Sequence, residues 1–389
     1  MRSGSVRTWV GAAAFLVAGA CLAACGGSGG AATSSTTTSS LPPLPPNVVA
    51  YVALAGSGSN LGFGEDVVPV NVTSGSESVG ARIRVGTYPD AIAIDGATAY
   101  VANYVSNSVT PIDLTTGKAL ASIPAGEGPA AIAISTRLDR AYVTDDGTST
   151  SLGHTVTPID LKTGKAMAPI DVGAGPQGIV VTPDGKYAYV ADAGAIISGQ
   201  AGPVGHTVTP IDLETGVPGR PITVGNGPTG IAITPDGSTV YTTNLDSQSV
   251  SPIDTSTNHA LAAIAVPGAP IAVAVGHGYA WVVDTPSSTA RGNNVVPISA
   301  STGRAGKPIP VGKGAAAIAI TPDGTTAWVA CLNAEALIPI SLGTKRAAAG
   351  IKVADGPFAL AITTESVTPS GAQATTTTTK SKKKKSSQS

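Results

Sequence analysis

Short runs of Val, Ile, Ala and Tyr alternate with Gly, Pro and Asp along most of this chain. The run V-x-P-I-D occurs seven times in full or weakened form, at intervals of 42 to 52 residues. Its prolines are Pro69, Pro111, Pro158, Pro210, Pro252, Pro297 and Pro339. Runs like Ala-Tyr-Val and Ile-Ala-Ile also occur seven times each, and a fourth, Ile-x-Val-Gly, starts for example at Ile83 and Ile170. Each run is short, β-branched and bounded by turn formers, so each predicts a strand.

Four strands in a repeat of about 42 residues are typical of a β-propeller blade. Pro-Asp-Gly at residues 183–185, 235–237 and 322–324 joins the Ile-Ala-Ile run to the Tyr-Val run. Such a turn supplies glycine where a positive φ is needed. The sequence therefore predicts an all-β fold, a seven-bladed β-propeller with four antiparallel strands per blade.

The repeats resemble the YVTN family of β-propeller repeats over about residues 48 to 365. The resemblance implies that the Ile-Ala-Ile run is the innermost strand A of each blade. The Tyr-Val run is then strand B, V-x-P-I-D is strand C and Ile-x-Val-Gly is the outer strand D. The first run, at residues 49–54, is of the B type and the last, at 358–363, is of the A type. We therefore expect the C-terminal strand to complete the N-terminal blade.

Proline in strand C departs from the family pattern, which has Val there. Because proline donates no backbone hydrogen bond, it belongs at a sheet edge or opposite a bulge. We predict that each proline nitrogen faces a short or bulged strand D and not strand B.

The two ends of the chain do not follow the repeat. Residues 1–24 have the basic start and apolar centre of a bacterial signal peptide, and Leu22-Ala23-Ala24-Cys25 resembles a lipobox, which implies acylation (palmitate) of Cys25. The alternative is a soluble secreted protein cleaved by ordinary signal peptidase. Residues 25–48 are expected to be a Gly/Ser/Thr/Pro tether, residues 49–365 the propeller and residues 366–389 a disordered Thr/Lys-rich tail.

Charge excludes one class of partner. Without the signal peptide and the five tail lysines, sixteen Lys and Arg stand against 24 Asp and Glu, a net charge of −8. An acidic globule gives no reason to expect nucleic-acid binding. The lysine tail could hold anionic lipid or wall polymer, or it could simply be a solubilising end.

Two faces of the propeller are expected to differ. The A-to-B and C-to-D turns are short and repetitive, whereas the opposite face, here called the top face, carries the D-to-A loops and B-to-C loops of variable length. The D-to-A loops have a G-x-G-P pattern, and polar residues there suggest a ligand site at the central mouth; a solvated rim is the alternative. The candidate ligand-binding residues are Asp90, Glu127, Gln177, Asn226, Lys313 and Asp355.

Other polar residues have plainer interpretations. Asn103, Asp145, Asp192, Asn244 and Asp284 end the B strands, where Asx side chains commonly bond turn backbone. Cys331, at the same position, is expected to be a semi-buried free thiol. We predict no metal site, no cofactor and no catalytic residue.

These features favour an extracytoplasmic, lipid-anchored β-propeller in the bacterial cell envelope that acts as a binding or scaffold module. Its expected partners are the membrane, through the anchor, and a protein, glycan or small molecule on the top face; a monomer is expected. The alternative, implied by the YVTN resemblance, is a lactonase-like hydrolase or a redox-associated propeller with its site at the central mouth.

Overall fold

A computed structural model describes residues 47–56, 63–148, 150–195, 202–285 and 292–365. The predicted signal peptide, Cys25, nearly all of the tether and the lysine tail lie outside the described residues. Within the described part, every regular element is a strand except one short 3-10 helix, Leu332–Ala334. No described helix has the length and apolar character that a bilayer span requires.

The strands form antiparallel units of one repeated order, from the inner strand to a split outer strand. Blade 1 contains β33 (Pro357–Glu365), β1 (Asn47–Leu54), β2 (Asp66–Asn71), β3 (Ser78–Val79) and β4 (Ile83–Arg84). Blade 2 contains β5 (Pro89–Asp95), β6 (Thr98–Asn103), β7 (Ser108–Asp113), β8 (Lys118–Ala119) and β9 (Ile123–Pro124). Blade 3 contains β10 (Pro129–Ser135), β11 (Arg140–Gly147), β12 (Leu152–Asp160), β13 (Lys165–Ala166) and β14 (Ile170–Asp171).

The same order continues to the end of the chain. Blade 4 contains β15 (Pro176–Val181), β16 (Tyr187–Gly194), β17 (Val204–Asp212), β18 (Val217–Pro218) and β19 (Ile222–Thr223). Blade 5 contains β20 (Pro228–Ile233), β21 (Thr239–Asn244), β22 (Ser249–Asp254), β23 (His259–Ala260) and β24 (Ile264–Ala265). Blade 6 contains β25 (Ala269–Gly276), β26 (Tyr279–Thr285), β27 (Gly292–Ser299) and the start of β28 (Ile309–Ile320). Blade 7 contains the rest of β28, β29 (Thr326–Cys331), β30 (Ala336–Ser341), β31 (Arg346–Ala347) and β32 (Ile351–Lys352).

The innermost strands contact one another in a closed order: β33, β5, β10, β15, β20, β25, β28 and again β33. The ring closes inside blade 1, where β1 pairs antiparallel with β33 from Asn47 opposite Glu365 to Leu54 opposite Pro357. A propeller completed by its C-terminal strand is therefore confirmed. Pairing the two ends of the fold removes an exposed sheet edge.

One row of side chains crosses every blade. On strand B the row holds an aromatic residue, which faces proline on strand C, as Tyr142 faces Pro158. On strand A it faces alanine in six blades, as Tyr142 faces Ala133, and Val180 in blade 4. The other aromatic residues of the row are Tyr51, Tyr100, Tyr189, Tyr241, Trp281 and Trp328. Neighbouring blades are close together near the axis and farther apart outside, so small residues belong inside and rings farther out.

The rings also connect neighbouring blades by hydrogen bonds. The Tyr142 hydroxyl donates to the Leu213 carbonyl of blade 4 at 3.4 Å. The Tyr189 hydroxyl donates to the Asn258 side chain of blade 5 at 2.7 Å. Burying the rings therefore fixes the blades relative to one another as well as filling the core.

Each strand C proline faces a bulge in strand D, as predicted. In blade 3, Pro158 and Thr157 oppose three residues, 167 to 169, which separate β13 from β14. The Pro158 carbonyl accepts from the Met167 amide at 2.8 Å, so the backbone polar groups of this proline point to strand D. The same bond recurs in all seven blades, for example from Gly80 to Pro69 and from Ala348 to Pro339. Because the bulged residues of strand D accept no backbone hydrogen bond from this position, the missing N–H of proline costs the sheet no hydrogen bond.

Ending the chain after residue 356 would remove β33 and expose the edge of β1. Phe358 and Leu360 are each 1% exposed, and burying a large apolar side chain contributes about 1.5–3 kcal/mol. We expect this truncation to abolish the folded monomer, measured by circular dichroism melting and size-exclusion chromatography. Ending the chain after residue 365 is the control and should leave both unchanged; a monomeric, cooperatively melting 356 truncation would contradict closure by β33.

Candidate functional site

The top ends of the B strands are fixed by buried side chains that bond the adjacent strand and loop. Asp145 accepts from the hydroxyls of Thr155 and Thr157, both at 2.8 Å, and Asp192 accepts from Thr207 and Thr209 at 3.0 and 2.7 Å. Asn244 donates to Ser249 and Ser251 instead. These contacts assign the Asx residues to scaffolding.

The first glycine of each G-x-G-P loop lies against such a side chain. A Cβ built on Gly126 would be 2.2 Å from Asp145 Cγ, and one on Gly173 would be 2.4 Å from Asp192 Cγ. Side chains cannot occupy that space, so the loop and the end of strand B are packed as one unit. The glycine pattern of the loops therefore arises from packing and not from phosphate binding.

Backbone hydrogen bonds hold the variable loop residues. The Glu127 carbonyl accepts from the Gly147 amide at 2.9 Å, and the Asn226 carbonyl accepts from the Asp246 amide at 3.2 Å. Each D-to-A loop is thus tied to the following B-to-C connection, and the side chains extend from a fixed frame.

The structure places the predicted site residues at two levels. Glu127, Asn226 and Lys313 are exposed. Asp355 is half-buried and forms an ion pair with Arg82, which also bonds Asp66 at 3.3 Å. Asp90 and Gln177 lie lower, and each is 1% exposed.

Asp90 and Gln177 belong to an inner ring, the residue next to the start of each strand A. Its other members are Phe358, Ala130, Thr229, Ile271 and Ala316. All seven are at most 9% exposed, so the propeller centre is closed at this level. The Gln177 Nε2 atom has no hydrogen-bond acceptor among the described residues. A buried donor of this kind is normally completed by a water or a ligand oxygen.

Aromatic rings and carboxylates concentrate on one side of the mouth. The Tyr88 ring lies 5.5 Å from Phe63, 6.0 Å from Tyr104 and 5.9 Å from Phe358, measured between ring centroids. We call these four residues, with Asp90 and Asp146, the aromatic–acid cluster. Phe63 is 48% exposed, so the cluster reaches solvent.

Tyr104 directly follows strand B of blade 2, and Asp146 has the equivalent position near the end of strand B of blade 3. The Tyr104 hydroxyl donates to Asp146 Oδ2 at 3.2 Å. Burial, followed by the charges of Asp146 and Asp90, raises the pKa of Tyr104. Tyr104 is therefore a neutral phenol at any physiological pH and acts as a donor.

Tyr88 holds a backbone conformation that the repeat reserves for glycine. Its φ is +57°, where five of the other loops have Gly128, Gly175, Gly227, Gly314 and Gly356 with φ of 59° to 73°. A bulky residue in this region carries strain that the surrounding structure must offset. Such outliers cluster at functional sites, so the position points to the cluster as a site.

The candidates from the sequence include Asp90 of this cluster but not Tyr104, Asp146, Phe63 or Phe358. The available signal was a departure from the repeat, since aligned loops have glycine where Tyr88 stands. Comparing the repeats one by one does not show which of the residues that differ from the repeat contact one another in the folded protein.

The remaining reactive side chains are not part of this cluster. Cys331 is fully buried, deeper than the predicted semi-buried position, and burial raises the pKa of its thiol to about 12. His154 and His206 are exposed. Among the described residues, no group of three or more His, Cys, Asp and Glu is placed to hold a metal ion.

Comparison with known proteins identifies the fold alone. No family model matches the chain, and no curated protein matches it. Its structure is similar to hydrazine synthase of Kuenenia stuttgartiensis, with a TM-score of 0.60 and 19% identity over 72% of this chain and 96% of that one. It is also similar to a functionally unknown protein from Desulfotomaculum acetoxidans DSM 771, with a TM-score of 0.63 and 16% identity over 81% and 98%.

Asp192 should make the fold depend on pH. Burial raises its pKa to about 7, so the folded protein holds the proton more tightly than the unfolded chain. The stability that the folded state gains from holding this proton is fully present below about pH 4 and is lost as the pH rises to about 7. Asp192→Asn, the residue found at Asn103 and Asn244, should raise the free energy of unfolding at pH 8 by at least about 1 kcal/mol, the value of one pKa unit.

Urea unfolding at pH 5 and pH 8 measures this effect. Asp212→Asn is the control, because backbone bonds from Thr215 and Glu214 lower the pKa of that exposed carboxylate. Its loss should act in the opposite direction. A less stable Asp192→Asn at pH 8 would show that Asp192 is needed in its charged form.

Proposed function

We propose that this chain is a secreted, lipid-anchored β-propeller that works as a binding module through its top face. The observation that carries the proposal is the aromatic–acid cluster. It combines an exposed ring, buried carboxylates and a strained tyrosine at the place where the loops depart from the repeat. The lipobox-like Leu22-Ala23-Ala24-Cys25 and the tether after it support the anchor.

The ligand at this cluster should carry a positive charge and apolar groups. Tyr88, Tyr104 and Phe63 offer ring faces and edges, and cations are attracted to ring faces. Two further acids lie beside the cluster. Glu65 accepts from the Thr87 hydroxyl at 3.1 Å and also forms an ion pair with Arg84, and Glu127 is bonded through its backbone to Gly147, next to Asp146. A protonated amine or a quaternary ammonium group fits this surrounding.

The buried acids attract a bound cation more strongly than surface acids would. Asp90 and Asp146 are 1% and 0% exposed, and charges act more strongly where water is excluded. The closed inner ring gives the cluster a firm floor. Binding at this place therefore needs little rearrangement of the frame, which keeps the ordering cost low.

Choline and its neutral isostere 3,3-dimethyl-1-butanol test the ligand chemistry. We expect the full chain to bind choline at least tenfold more tightly in calorimetric titration, because the isostere has the same size without the charge. Asp146→Asn and Tyr104→Phe should each weaken choline binding several-fold. Tyr187→Phe, an exposed tyrosine of blade 4, is the matched control and should change nothing.

Equal affinity for the two compounds, or wild-type binding by both cluster variants, would contradict a cation site. Release of product from a lactone by the full chain would contradict the wider proposal of a binding module. Thermal melting of each variant checks that the fold is intact.

Cys25→Ala tests the anchor. We expect the variant to lose fatty-acid labelling in cells and to appear in the medium, because the acyl chain is its attachment to the membrane. Labelling that persists in the variant would refute acylation at Cys25. A Cys21→Ala variant, altered four residues earlier, controls for general damage to export.

A further inference from the structure

A groove of about 740 Å³ lies between blades 6 and 7, on the side opposite the variable loops of the top face. Its wall includes the outer edge of blade 6 from Arg304 to Pro310 and the start of the outer strand of blade 7. Of the fourteen residues that line it, four are Lys or Arg and none is Asp or Glu. The four are Arg304, Lys307, Lys345 and Arg346.

The groove lies in a basic part of an otherwise acidic fold. Residues 292–356 contain six Lys and Arg against three Asp and Glu, whereas residues 47–285 contain nine against twenty. Among the described residues, no ion pair involves the four cationic side chains of the groove. Their positive potential is therefore not neutralised by neighbouring carboxylates.

Lys345 departs from the repeat in the same way as Tyr88 does. In blades 2 to 6 the equivalent turn residue is Gly117, Gly164, Gly216, Asn258 or Gly303, each with positive φ. Lys345 has φ of +55° at that position. Its ammonium group lies 3.8 Å from the centre of the Tyr279 ring, a cation–π contact that directs the charge into the groove.

A residue without a side chain forms part of the groove wall. Gly306 lines the wall at the bulge opposite Pro297. The equivalent residues, whose amides bond the facing prolines in the same way, are Leu120, Met167 and Leu261 in blades 2, 3 and 5, and Gly80, Gly219 and Ala348 in blades 1, 4 and 7. A large side chain is thus missing where the cationic residues gather.

We propose that this groove binds a small oligoanion, a ligand with several phosphate or carboxylate groups. Two arginines supply planar, two-pronged donors for such groups, and the lysines add point charges. The volume lies within the range of small-molecule sites, roughly 300–1,000 Å³. A long polyanion would extend from the groove over the acidic blades 1 to 5, which would repel it.

Tripolyphosphate and citrate are the probes, titrated calorimetrically into the full chain at 50 mM NaCl. We expect binding of at least one probe, weakened at least tenfold by Arg304→Gln combined with Arg346→Gln. Lys118→Gln combined with Lys165→Gln is the matched control, since these lysines hold the equivalent position in blades 2 and 3. The control should bind within twofold of the wild type.

Lys345→Gly separates binding from folding. It restores the residue that four other blades have at this turn, so the melting temperature should not fall. Binding should nevertheless weaken several-fold. A variant that binds like the wild type would remove Lys345 from the site.

The tail lysines require a separate control experiment, because they can also attract an anion. Replacing Lys380, Lys382, Lys383, Lys384 and Lys385 by Ser should leave probe affinity within twofold. Affinity that disappears with the tail lysines, or that survives the Arg304 and Arg346 substitutions, would overturn the groove as the site. Tripolyphosphate binding without citrate binding would assign phosphate groups to the ligand, and the reverse would assign carboxylates.

Discussion

The spacing between blades around the central axis is the constraint on which the rest of the structure depends. Adjacent sheets converge toward the axis, so side-chain size must increase from strand A outward. The step from a small or β-branched residue on strand A to an aromatic ring on strand B meets this condition in every blade, as in Ala133 and Tyr142, and proline on strand C follows outside the ring. Proline ends the row because the split outer strand needs no donor from it. The same row that fills the space also sets the blade edge, which keeps the outer strand short and irregular.

A second set of contacts fixes the loops of the top face. In four blades a buried Asx residue at the end of strand B packs against the first glycine of the adjacent loop, and backbone bonds connect loops such as that of Glu127 to the next connection. Within this frame the exposed side chains at the variable position, such as Glu127, Asn226 and Lys313, differ from blade to blade, and the frame presents them in fixed positions. The buried charge itself is expensive, since burial raises the pKa of Asp145, Asp192 and Asp284 to about 6, 7 and 6. The frame is therefore built partly from carboxyl groups that hold a proton more tightly than exposed carboxyl groups do.

Both proposed sites lie where the repeat is broken by a bulky residue in a glycine conformation. Tyr88 brings rings together above Asp90 and beside Asp146, and Lys345 is held against Tyr279 at the edge of the basic groove. In a repeat protein, the equivalent positions of the other blades show which residue the fold alone requires. Strain at these two positions is tolerated because neighbouring contacts offset it, and such strain is common at functional sites. The two sites have opposite charge, which suits two different ligands.

The sequence by itself determined the strands, their order in a blade, the closure by residues 358–363 and the bulge opposite each proline. These depend on local patterns repeated in one register, where each copy supports the others. It also indicated Asp90 and the variable loop residues. Only the tertiary structure decided that Asp90 and Gln177 are buried below Glu127 and Lys313, and that Tyr88, Tyr104, Asp146 and Phe358 meet. The last four residues are distributed along the chain and belong to three blades. Their contacts depend on how the blades are packed around the axis. Repetition predicts what the blades share, whereas the sites arise from the differences between blades that the ring brings into contact.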